Sequence, residues 1–107
     1  MKLVFSIVNS DDAAAVSAAL TENNFQVTKL ATTGGFLKVG NTTFITGVED
    51  DKVDDVIRII EKKSNKRTQI VPDANAAILV GYSEMPVEVT VGGATVFVID
   101  VDRFEKI

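Results

Sequence analysis

At 107 residues, 46% hydrophobic and 24% charged, the chain has the size and balance of one globular domain with a sizeable buried core. It contains no cysteine, histidine or tryptophan, which excludes disulfides, thiol nucleophiles, imidazole bases, Ser-His-Asp triads and Cys- or His-ligated metal centres. A net charge of −4 argues against a nucleic-acid polymer as partner, since that needs a basic surface to displace counterions, but it allows a small anion neutralised locally.

The first predicted element, KLVFSIVN (2–9), is apolar at nearly every position, as in a central strand covered on both faces. The chain turns acidic directly afterwards and has no small-residue cleavage site, so this stretch reads as a strand and not as a secretory signal. No apolar run approaches the roughly 18 residues of a membrane span. The expected location is therefore cytoplasmic, with no membrane partner. Ser10 offers an N-cap, and Asp11 and Asp12 suit the positive end of a helix. Val16, Ala19, Leu20 and Ala15 form its apolar stripe, which ends near Asn23-Asn24, a left-handed C-cap.

FQVTKLATT (25–33) predicts a second strand, and NTTFITGVE (41–49) its antiparallel partner across the glycine-rich segment 34–40. Val53, Val56, Ile57 and Ile60, spaced i, i+3, i+4, i+7, predict a second helix with acids at its front and Lys62 and Lys63 at its back. Residues 64–85 show no period. PVEVTVGGATVFVIDV then predicts a closing hairpin that turns at Gly92-Gly93. The order β-α-β-β-α-β with one added hairpin strand is that of an α+β, ferredoxin-like domain over residues 1–107, with both helices on one face of an antiparallel sheet. The opposite face also carries apolar positions, and self-association is the simplest cover for it.

Four segments are candidates for chemistry. In the acidic cluster of Glu49, Asp50, Asp51, Asp54 and Asp55, carboxylates one helical turn apart suit Mg²⁺ or Ca²⁺. Lys52 in their midst and the lack of a calcium-loop pattern favour helix capping and a solvated face. In the basic run Lys62, Lys63, Lys66 and Arg67, solvated surface is the plainer reading against a phosphate contact, and Arg67 is its least bland member because it lies in the loop. The 22 residues of 64–85 are too long and too apolar for a plain connection, so partial order is expected, through extra strand pairing or on binding.

The fourth segment is TGGFLKVGN (33–41). Gly34-Gly35 exposes consecutive backbone N–H groups to an anion, and Phe36 and Leu37 supply a clamp for a flat ring. Thr28, Asn41 and Thr43 can read a base edge or a phosphate. Gly47, inside a strand, marks a close approach to the backbone. A purine joined to phosphate fits this set.

The "TGGFL-x-x-GNTT" segment and the "GGATVFV…VDRF" ending together resemble the cyclic-di-AMP receptors of the PII-like superfamily, over Met1 to about Glu61 and Pro86 to Ile107. The resemblance implies a homotrimer of ferredoxin-like subunits with inward-facing sheets. It also implies a short loop between strands 2 and 3, here 34–40, a long loop after helix 2, here 64–85, and ligands in the clefts between subunits. Matched pocket positions are Asn24, Thr28, Gly35, Phe36, Leu37, Asn41, Gly47 and Phe97. Gln26 stands where relatives carry an arginine, and Lys106 where they carry a glutamine, so a stacking cation is lost and another charge gained elsewhere. The implied protein is a non-enzymatic signalling receptor for cyclic di-AMP that needs no cofactor and passes binding to an unidentified partner protein through its loops. The rival readings are a PII-type sensor of ATP or another nucleotide, and a trimeric adaptor that binds no nucleotide.

Overall fold

The computed structural model describes residues 1–30, 40–72 and 86–107. The elements are β1 (Lys2–Asn9), α1 (Ser10–Glu22), β2 (Thr28–Leu30), β3 (Asn41–Val48), a 3₁₀ turn (Asp50–Lys52), α2 (Val53–Lys63), β4 (Arg67–Pro72), β5 (Pro86–Val91) and β6 (Ala94–Asp100). Strands β2-β3-β1-β6 form a four-stranded antiparallel sheet with both helices packed on it, while β4 and β5 form a separate two-stranded ribbon. The four-stranded sheet and two helices are the expected ferredoxin-like α+β arrangement.

The core follows from the period of each element. Val4 and Val8 of β1, with Phe44 and Val48 of β3, face the helices and meet Val16 and Leu20 of α1 and Val56 and Ile60 of α2. Ala15 is exposed, unlike the other expected members of the α1 stripe. The buried positions are Asp12, Val16, Ala19 and Leu20, at a spacing that leaves Ala15 off the core face. The N-cap is Asn9 and not Ser10. Its side chain accepts from the Asp11 N–H at 2.8 Å, while the Ser10 hydroxyl lies 3.0 Å from that of Thr42 on β3. Asn24 has a φ of 67°, the left-handed geometry expected at the end of α1.

Two hydroxyls inside this core, Ser6 Oγ and Thr46 Oγ1, are fully buried with no protein partner among the described residues. A buried unpaired hydroxyl is costly, and valine has nearly the shape of threonine. Thr46→Val is therefore expected to stabilise the fold by about 1 kcal/mol. The midpoint of urea unfolding is the check, and a lower midpoint would refute the account.

The largest departure from expectation is the closing hairpin. Gly92 and Gly93 do have the expected positive φ values, 85° and 81°. However, β5 pairs with β4, and β6 pairs with β1 from Lys2↔Asp100 to Val8↔Ala94. The glycines thus mark where the chain passes from the ribbon to the main sheet. The Gly93 N–H donates to the Ser64 carbonyl at the end of α2, and a Cβ on Gly92 would lie 2.5 Å from the Asn65 carbonyl oxygen. Two strands, β4 and β5, are therefore added to the ferredoxin-like core, not one. The first, at 67–72, supplies part of the strand pairing expected within 64–85; residues 73–85 lie outside the described residues.

Candidate functional site

Strand register decides which expected site residues share a face. Residues directly opposite in an antiparallel pair point to the same side of the sheet. Thr28 is opposite Ile45, Ile45 opposite Phe5, and Phe5 opposite Phe97. These four form one row across all four strands, on the side away from the helices. Neighbouring rows on this side are Leu30–Thr43–Ile7–Thr95, Gly47–Leu3–Ile99 and Asn41–Asn9. Thr28, Asn41, Gly47 and Phe97 therefore share one face.

Most of this face is apolar and much of it is open. Phe97 is 52% and Ile99 50% exposed, and Phe5, Ile7, Leu30, Thr43, Phe97 and Ile99 line a hollow of about 360 Å³. A Cβ on Gly47 would meet nothing within 4 Å among the described residues, so none of them makes the close approach expected there.

The shared face is nevertheless too wide for one compact site. Asn41 and Gly47 are six residues apart on β3, about 20 Å along the strand, and Thr28 and Phe97 sit three strand spacings apart, about 14 Å. Gln26, exposed and two residues before β2, belongs to the Gly47 end. Phe25 and Val27 on either side of it pack against the core cluster. The chain after β6 also leaves from the Gly47 end, with the Val101 N–H donating to the Met1 carbonyl, and it carries the exposed Lys106. Asn24 lines a cleft between the end of α1 and the start of α2, with Lys52, Asp55 and Arg58. Gly35, Phe36 and Leu37, and segment 34–39 of the expected loop, lie outside the described residues.

At the Asn41 end the structure adds residues that sequence reasoning missed. A polar recess of about 340 Å³ is bordered by Asn9, Asn41, Lys66, Thr90 and Thr95, with Gly92 and Gly93 at its edge. The alternation of β1 places Asn9 on the open side, but its neighbour Asn41 becomes visible only from the register. The Arg67 guanidinium, the least bland member of the basic run, reaches the Asp12 carboxylate through both amino groups, at 2.8 and 3.2 Å, and also donates to the Asn65 carbonyl. The hydrogen bond to Asp12 raises the Arg67 pKa further above its already high ordinary value. This pair fixes the root of the β4–β5 ribbon to the first turn of α1. The same turn holds the end of the glycine-rich segment, because the Ser10 N–H donates to the Gly40 carbonyl at 2.7 Å.

The acidic stretch is spread out. Asp50 lies 2.9 Å from the Met1 amine and Asp55 3.0 Å from Arg58. Among the described residues no three carboxylates converge on a point where a cation would sit, and no helix is long and apolar enough to cross a membrane.

A family model described as cyclic-di-AMP receptor matches residues 1–107. Among solved structures, the chain is similar to a functionally unknown protein from Pediococcus pentosaceus ATCC 25745. The two share 43% sequence identity with a TM-score of 0.75, covering 99% of this chain and 96% of the other.

Proposed function

The chain belongs to the cyclic-di-AMP receptor family, and from this premise we propose that it is a non-enzymatic cytoplasmic signalling protein which binds cyclic di-AMP in the clefts between subunits of a homotrimer. The observation that carries the inter-subunit reading is the row Thr28–Ile45–Phe5–Phe97. It puts two expected ligand residues at opposite edges, about 14 Å apart, of a face that is apolar and open among the described residues. Sheets facing inward would bury that apolar face. They would also let the β6 edge of one subunit approach the β2 edge of the next, so that residues distant within a chain close on one ligand.

In this arrangement Thr28, Asn41 and Gly47 read the adenine edge or the phosphate, with Asn24, Gln26 and Lys106 as further polar contacts. Gly35 presents backbone, and Phe36 and Leu37 cover the base. Binding is relayed to a partner protein through the loops. The first turn of α1 touches both loop roots, through Ser10–Gly40 and Asp12–Arg67, and so supports a coupling between the ligand and the ribbon. Such a switch requires the ligand to bind one loop arrangement more tightly than the other.

Calorimetric titration with cyclic di-AMP, ATP and cyclic di-GMP tests the reading. The expected result is selective, saturable binding of cyclic di-AMP near one ligand per subunit. Competition by ATP at comparable concentration would favour the mononucleotide sensor instead. No heat with any of the three would favour the adaptor.

A further inference from the structure

We infer that Lys66 supplies the positive charge for a phosphate of the bound cyclic dinucleotide; the assignment rests on the proposed function and adds a residue to that site. A cyclic dinucleotide carries two phosphodiester anions, and this chain has a net charge of −4, so a local cation favours anion binding. The polar recess at the Asn41 end offers neutral donors and acceptors from Asn9, Asn41, Thr90 and Thr95. Lys66 is the cation among the described residues that border it.

Two features make Lys66 a positioned group and not a freely moving surface lysine. Its stem lies across Gly93, with Cγ and Cε 3.0 and 3.2 Å from where a Cβ would be; the missing side chain at Gly93 is what lets it lie there. The next residue, Arg67, is fastened to Asp12 and to the Asn65 carbonyl, so the backbone that carries Lys66 is anchored. Arg67 is also neutralised by Asp12, whereas Lys66 forms no ion pair among the described residues. The neighbouring cation is thus spent on structure, and Lys66 is the one left to meet an anion.

A competing role exists. The same stem borders the groove under α2 that Glu61 also lines, so Lys66 can serve Glu61 instead. The test compares the wild-type protein, Lys66→Gln, Lys66→Arg and, at an exposed lysine that does not line the recess, Lys62→Gln by titration with cyclic di-AMP at several salt concentrations, together with their melting temperatures. The expected result is an affinity about five- to tenfold weaker for Lys66→Gln, a shallower dependence on salt, rescue by Lys66→Arg, and no change for Lys62→Gln. Lys66→Gln binding as tightly as wild type, or losing melting temperature while keeping its affinity, overturns the assignment. A wild-type protein that does not bind cyclic di-AMP overturns the receptor reading, and this assignment with it.

Discussion

Ile99→Asp is expected to leave a folded monomer that no longer binds cyclic di-AMP. Ile99 lies on the open side of the sheet beside Leu3 and Gly47 and is half exposed in the single chain, while the core cluster is on the opposite side. A carboxylate there does not disturb the fold of one subunit. In the proposed trimer the same carboxylate would be trapped unpaired in an apolar interface, at a cost of several kcal/mol, which would weaken each subunit contact by about a hundredfold or more. Ile99 is not among the expected ligand contacts, so loss of binding would follow from loss of the neighbouring subunit. Light scattering after size exclusion, circular dichroism and calorimetric titration read the three consequences separately. An Ile99→Asp protein that stays trimeric would refute the inward-facing sheet, and a monomer that still binds with full affinity would refute a site shared between subunits.

The largest effect on folding is expected at Leu20. It is fully buried in the cluster formed by Val4, Val16, Phe44, Val56 and Ile60, where two helices and the sheet meet. Removing its isobutyl group leaves a cavity that the surrounding elements fill only in part. Leu20→Ala should cost about 3 kcal/mol, or roughly 15 °C in melting temperature. Leu30 makes the useful comparison. It is the same residue type but sits opposite Thr43 on the open side, half-buried. Leu30→Ala should lower subunit stability far less and show itself as weaker assembly. Because assembly ties stability to concentration, the variants need one protein concentration throughout. Equal losses for the two leucines would mean that the layers have been assigned wrongly.

The two leucines also show how much was legible in the sequence. The i, i+3, i+4 spacing of Val16, Ala19 and Leu20 in α1 marks Leu20 as core with no knowledge of its neighbours, and the Val53–Ile60 spacing does the same for α2. The nearly continuous apolar run of β1 identifies it as the central strand, and it is flanked by β3 and β6. The closing hairpin was misread because Gly-Gly between two valine-rich runs is a strong local turn signal. The local turn geometry is indeed present. A turn does not choose partners, however, and β1 has a second edge that β6 satisfies while β5 finds β4. The expected N-cap was off by one residue for a similar reason: Ser10 is held by Thr42, which lies 32 positions away.

By itself, the sequence determined the composition, the two helices, most of the strands of the main sheet and the short distinctive segments that indicate the family. Each of these depends on residues close together in the chain, where period, capping and turn chemistry act. Only the tertiary structure decided that Thr28 and Phe97 stand at opposite edges of one row, that Asn41 and Lys66 border one recess, and that Asp12 holds Arg67. Those placements depend on strand order and register, which are set by burying the apolar sides of all four strands and both helices at once, and no local stretch of chain contains that information.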